Sequence, residues 1–154
     1  MLKKYTNVMN LTLSLNDVDD LDQAIDISNQ ISVPSPAEAQ KYHNKQDWLK
    51  KIEDGGLLVT TKKDRHMAGY AICYREDRIF HIWNVGVLES YRGQGVWKKI
   101  YERILDYAVK AGCDQLTLNT YKSKYSSMYS FCLKQRFVEY KIEDGKSYFI
   151  KHIP

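Results

Sequence analysis

Six consecutive residues, Tyr91-Arg92-Gly93-Gln94-Gly95-Val96, combine two glycines with an arginine. Glycine lets the chain turn so that N–H groups point inward, and at a helix start the macrodipole favours an anion. Such a loop can cradle a phosphate, although glycine spacing alone also fits a plain strand-to-helix turn. Lys98 and Lys99 follow after Trp97. In a first helical turn a cation opposes the dipole by roughly 0.3–1 kcal/mol, which a bound anion would offset; two solvated lysines are the alternative. Upstream, His81 can act as a base with an ordinary pKa of about 6.5, or be a plain strand histidine. The amides of Asn84 and Asn119 can orient an amine, or bond locally at strand ends. Downstream, Tyr125, Tyr129 and Cys132 share one helical stripe. In a chain with 12 tyrosines, packing is the competing role for Tyr129. For Cys132 it is that of a small buried hydrophobe.

These residues need elements to hold them. Ile79 to Val87 is rich in β-branched and aromatic residues and reads as a strand. From Val96 to Ala111, apolar residues at Val96, Ile100, Ile104, Tyr107, Ala108 and Ala111 recur at helical spacing, with charges on the other side and Gly112 as the stop. The glycine loop therefore joins a strand to an amphipathic helix. Before it, Asn7 to Leu15 reads as a strand and Asp17 to Ile31 as a helix capped by an early Asp or Asn. Val33-Pro34-Ser35-Pro36 breaks that helix. Ser35 as N-cap, Pro36 and Glu38 start a second helix that runs through Tyr42, Trp48 and Ile52 to Gly55-Gly56. Leu57 to Thr61 and Met67 to Tyr74 are strands around a charged turn, Lys62 to His66; Arg75 to Arg78 turns into the central strand. Gln115 to Thr120 is a strand and Ser126 to Gln135 a short helix. Phe137 to Ile142 and Ser147 to Ile153 flank Asp144-Gly145, a two-residue hairpin signal.

Composition narrows the function classes. A chain of 154 residues with 44% hydrophobic and 27% charged content fits one domain, 1–154, with a real core. A net charge of +4, not gathered into a basic stripe, gives no reason to expect a nucleic-acid partner. No apolar run approaches the roughly 18 residues of a membrane span, and the first residues lack a secretory h-region, so a cytoplasmic protein is expected. Cys73, Cys113 and Cys132 are far apart and odd in number, and the four histidines form no ligand pattern, so neither a disulfide framework nor a metal is expected.

The stretch Val87 to Val96 resembles the acetyl-coenzyme A signature of the GNAT acetyltransferase superfamily: Gln or Arg, two variable residues, Gly, one variable residue, then Gly or Ala. Arg92 and Gly95 match it, while Trp97 stands where a small residue is usual. The order of elements is also that of the GNAT fold, so the resemblance implies a mixed, mostly antiparallel sheet with helices on both faces. It further implies that Arg92 to Trp97, with Lys98, meets the coenzyme phosphates. The pantetheine amides would pair with Val85-Gly86-Val87, and Asn119 would face the gap beyond. Gly86 would permit a close approach, of a ligand or of the protein itself.

The implied activity is acyl transfer from acetyl-CoA to a primary amine by direct attack, with no metal. Aligning Arg136-Phe137 with the family's usual Gly-Phe brings Cys132 to the position of the acid tyrosine, with Tyr129 one turn earlier as acid candidate. Trp83 and Asn84 stand where many relatives carry a carboxylate, which leaves His81 or Asn84 to relay a water. Tyr42, His43 and Trp48 are candidates for the acceptor wall, by analogy. The fold's habit of pairing through sheet edges or the last hairpin implies a homodimer as one state. A second reading stays open beside the enzyme: a GNAT-like module without catalysis that binds acyl-CoA or a protein partner, motivated by Trp97, Cys132 and the missing carboxylate.

Overall fold

In the computed structural model, residues 10–32 and 44–154 are described. Seven strands form one sheet: β1 (Thr12–Leu15), β2 (Leu57–Lys63), β3 (His66–Glu76), β4 (Ile79–Val87), β5 (Gln115–Tyr121), β6 (Val138–Glu143) and β7 (Lys146–His152), in the order β1-β2-β3-β4-β5-β7-β6. All neighbours are antiparallel except β4 and β5. Helices α1 (Leu21–Ser32) and α2 (Lys45–Glu53) pack on one face. Helices α3 (Val96–Lys110) and α4 (Ser126–Lys134) pack on the other. The expected mixed, mostly antiparallel sheet with helices on both faces is the observed one.

The sheet is a two-faced core. Leu57, Val59, Ala71, Phe80, Leu116 and Phe149 point toward α3 and α4, and Leu58, Tyr70 and Ile72 toward α1 and α2. Ile100 and Ile104 of α3 are wholly buried, each contributing about 2 kcal/mol by loss of apolar surface to water. Gly112, at φ 84°, ends α3 as the sequence suggests.

Several boundaries differ from the sequence reading, for local reasons. The charged segment Lys62 to His66 is not a five-residue turn. Lys62, Lys63 and His66 are strand residues, and only Asp64-Arg65 turns, both with positive φ. Two such residues match the right-handed strand twist, so the hairpin closes with the shortest loop. Asp17 does cap the next segment, its side chain accepting from the Asp19 N–H at 3.1 Å, but the first turn, Val18–Asp20, is 3₁₀ rather than α. A helix continuous through residue 44 is also not what forms. Asn44 has extended backbone and its Oδ1 accepts from the Gln46 N–H at 2.9 Å, so it starts α2 as an N-cap. The expected start at Ser35, Pro36 and Glu38, the wall candidates Tyr42 and His43, and the strand residues before Asn10 lie outside the described residues.

Candidate active site

The site begins with a flaw in β4. Opposite Ile72 stands Asn84 and opposite Cys73 stands Ile82, so Trp83 is an extra residue, a bulge. Its effect is to turn two consecutive side chains to the α1–α2 face. Trp83 meets Trp48 edge-on at 6.1 Å, and Asn84 accepts from the Tyr70 hydroxyl and donates to Ser28 Oγ, both at 2.8 Å. The parallel pairing with β5 stops at the same place, with Ile82 opposite Leu118. Beyond it, Trp83 to Val87 and Asn119 to Tyr121 diverge, which leaves an open wedge with an unpaired β4 edge. Val85 and Val87 line the wedge on the α3 side.

The glycine loop lies at the head of that wedge. Gly93 and Gly95 have φ of 77° and 79°, and Gly95 is the N-cap of α3 without a side-chain cap. The Lys99 N–H donates to the Gly95 carbonyl at 3.1 Å, the first bond of the helix. The N–H groups of Val96, Trp97 and Lys98 therefore precede the ladder and point out of the helix end. They open on a cavity of about 140 Å³ lined by Val87, Tyr91, Arg92, Gly93, Gly95, Val96, Trp97 and Lys98. Six of these eight are residues the resemblance assigns to the phosphates and Val87 is one it assigns to the pantetheine; Tyr91 is the addition. Gln94 turns away, its Oε1 accepting from Lys63 Nζ at 3.1 Å and its Nε2 donating to the Ser90 carbonyl at 3.2 Å. Arg92 Nε donates to the Val87 carbonyl at 2.9 Å, which ties the loop to the strand end.

Trp97 does not fill the cradle. Its ring packs between α3 and α4, 5.3 Å from Phe131 and 6.0 Å from Tyr101. Its indole N–H is buried without a partner among the described residues. Gly86 has a structural reason to be glycine: a Cβ there would lie 2.7 Å from the Tyr70 ring and 3.0 Å from Ile31. The close approach it permits is that of Tyr70.

The candidate proton-handling groups fall on two sides. Tyr129 and Cys132 belong to the α3–α4 side, where Tyr129 meets Phe149 edge-on at 5.4 Å and donates to Glu139 Oε1 at 3.3 Å. Its hydroxyl is pushed up by burial and then by the Glu139 carboxylate. Cys132 is fully buried, which pushes its thiol up to about 12. His81 and Asn84 belong to the opposite face. His81 Nδ1 lies 2.6 Å from Thr117 Oγ1, and its ring stacks on Tyr74 at 4.8 Å. Burial, then Lys146 and Lys51, pull its pKa down to about 4, so the imidazole is neutral at ordinary pH. Asn119 sits on β5 opposite Tyr148 of β7, at the first level of the wedge. Trp48 is fully buried against Tyr70 and Trp83. Ser28, Tyr70 and Thr117 were invisible as partners in the sequence, being 56, 14 and 36 residues from the groups they hold.

A family model described as the acetyltransferase (GNAT) family matches residues 21–132, the span from α1 through the bulge and glycine loop into α4. The chain belongs to the GNAT acetyltransferase family. No curated protein sequence matches it. Solved structures match its fold. The PaiA N-acetyltransferase of Thermoplasma acidophilum, in complex with coenzyme A, is 14% identical with a TM-score of 0.80, covering 94% of this chain and all (100%) of that one. The ribosomal-protein-S18-alanine N-acetyltransferase of Escherichia coli is 19% identical with a TM-score of 0.74, covering 93% and 94%. YncA of Salmonella typhimurium, with its cofactor acetyl-CoA, is 14% identical with a TM-score of 0.73, also covering 93% and 94%. At these identities the likeness is one of GNAT fold. Among the described residues no helix is long and apolar enough to cross a membrane, and no three His, Cys, Asp or Glu side chains are grouped to hold a metal.

Proposed function

We propose that this protein is an acyl-CoA-dependent N-acetyltransferase that moves acetyl from acetyl-CoA to a primary amine. The observation that carries the reading is the wedge between β4 and β5, headed by a left-handed glycine loop at the start of α3. The pyrophosphate would meet the N–H groups of Val96, Trp97 and Lys98, where the helix dipole favours negative charge. The pantetheine would lie along the open β4 edge from Val85 to Val87, and Asn119 would line the far side. Trp97, a lining residue of the cradle, holds a buried indole N–H without a partner among the described residues, and would be a further donor if its ring turned toward the cofactor.

Transfer would proceed in one displacement. The free amine attacks the thioester carbonyl, a backbone N–H near Val87 stabilises the oxyanion, and the C–S bond breaks as the thiolate takes a proton. A thiol at about 12 is too weak an acid to serve that step well, so Cys132 acts in packing. Tyr129 is the remaining acid candidate, reached by loosening its long bond to Glu139. His81, held down to about 4, is a poor general base at neutral pH and relays a water at most. The exposed edge residues Val138 and Ile142 of β6 are what a homodimer through the last hairpin would bury.

Thermal unfolding with and without acetyl-CoA, with adenosine as control, tests the reading. At 100 times its dissociation constant a ligand adds roughly 2.7 kcal/mol, or about 5–10 °C here. Amine-dependent thiol release then separates the enzyme from a module that only binds. Absence of any shift at millimolar acetyl-CoA would overturn both.

A further inference from the structure

The face of the sheet that carries α1 and α2 is only half covered among the described residues. Those helices lie over β2, β3 and β4, while β5 and β7 beside them present Asn119 and Tyr148 without a helix above them among the described residues. Two ammonium groups stand at the borders of this open face. Lys51, from the last turn of α2, places Nζ 4.2 Å from the Trp83 ring centroid and 5.7 Å from that of Tyr74. Lys146, at the start of β7, places Nζ 5.7 Å from the Tyr148 ring and pairs in register with Tyr121, the last residue of the diverging β5. Neither forms an ion pair among the described residues. The carboxylate near Lys146, Glu143, is engaged by Lys141 at 2.6 Å. After burial, the charges of both lysines oppose the charged form of His81.

The geometry points to a carboxylate-bearing primary amine, of the amino-acid class, as the acceptor, its carboxylate held by Lys51 and Lys146 over the aromatic floor of Trp83 and Tyr148. This rests on the acetyl-transfer reading of the same wedge. Trp83 already carries Lys51, and Tyr148 carries Lys146 and, at 4.9 Å, Lys141, so a purely cationic acceptor such as a polyamine meets repulsion there. An anion on the acceptor reverses that sign. The lysines serve the chemistry as well. An ammonium ion brought onto an electropositive, half-dry face loses its proton more readily, as His81 does. The proton passes to water, and the nitrogen lone pair forms the C–N bond. The C–S bond breaks, and coenzyme A leaves as the thiol with the proton that the amine nitrogen sheds. No carboxylate base is needed, which accounts for Trp83 and Asn84 at the bulge.

The test compares phenylalanine, leucine and glutamate with their α-amides and with phenethylamine, by thiol release at saturating acetyl-CoA. The expected kcat/KM is at least tenfold higher for an amino acid than for its amide. Lys51→Gln and Lys146→Gln should each lower that acid-to-amide ratio about tenfold, through KM rather than kcat, and Lys51→Arg should restore it. Calorimetric titration of the same compounds into the coenzyme A-bound protein reads the site even without turnover. Amides or phenethylamine that match the acids, or variants that leave the ratio unchanged, would overturn the assignment while leaving acetyl transfer standing. So would titrations in which no amino acid binds. Loss of acetyl-CoA binding itself would instead overturn the function.

Discussion

Two side chains hold a strained conformation or an unpartnered buried donor. The Trp97 indole N–H is buried without a partner among the described residues, at a cost of order 1–3 kcal/mol. Replacing it by phenylalanine removes the orphan donor and part of the packing against Phe131. We expect Trp97→Phe to leave the apo melting temperature unchanged or raise it by a few degrees, while weakening acetyl-CoA about fivefold by calorimetry. A variant that binds acetyl-CoA as the parent does would remove Trp97 from the cofactor's donors. Arg136 sits at φ 64°, closing α4 with its N–H on the Leu133 carbonyl at 3.1 Å. A left-handed arginine costs about 1–2 kcal/mol, part of which glycine gives back as unfolded-state entropy. The guanidinium also opposes the charge of Lys151. Arg136→Gly should therefore stabilise the protein by about 1 kcal/mol in denaturant titration. Phe137, which follows Arg136, is buried.

At the scale of elements, the decisive features are the β4 bulge and the loop before α3, and their glycines do different work. A methyl group at Gly86 would drive into the Tyr70 ring and Ile31, and with Tyr70 goes the bond that holds Asn84. Gly95 has open space around its missing Cβ and is constrained only by φ. Gly86→Ala should cost about 2–3 kcal/mol by overpacking, and Gly95→Ala about 1 kcal/mol by backbone strain. Unfolding of the two variants should show that order, and acetyl-CoA affinity should fall chiefly in Gly95→Ala, whose loop is the proposed phosphate cradle. The reverse order of stabilities would mean that the β4 edge yields to Tyr70 more easily than its packing suggests.

For the whole molecule, the two faces of the sheet divide the labour in the proposed reaction: the α3–α4 face would take the cofactor end of the wedge, and the α1–α2 face the acceptor. His81 lies on the second face, buried, and its pKa of about 4 stands below the unfolded value of about 6.5. A histidine whose pKa is depressed on folding contributes stability that is whole above the unfolded pKa and is lost as pH falls through the folded one. Between pH 6.5 and 4 the unfolded chain binds the extra proton, so stability should decline by about 3 kcal/mol across that window. His81→Gln should flatten this acid limb in denaturant titrations at stepped pH. An unchanged slope would assign it to the carboxylates.

Much of this was readable in the residues, because it depends on near neighbours. The periodicity of α3, the glycines of its leading loop, and the Asp144-Gly145 hairpin, with φ of 52° and 77°, are local consequences of backbone sterics and alternation. The GNAT order of strands and helices follows from those elements. Tertiary packing decided the rest. The bulge at Trp83 breaks the alternation that a sequence reading must assume, and it arises from pairing with β3 rather than from β4 itself. Asn84 is fixed by Tyr70 and Ser28, His81 by Thr117, and the charges of Lys51 and Lys146, 95 positions apart in the numbering, both act on His81. Such long-range contacts exist only once the sheet has closed. Which strand face a side chain takes, and what charge surrounds it there, are properties of that closed sheet.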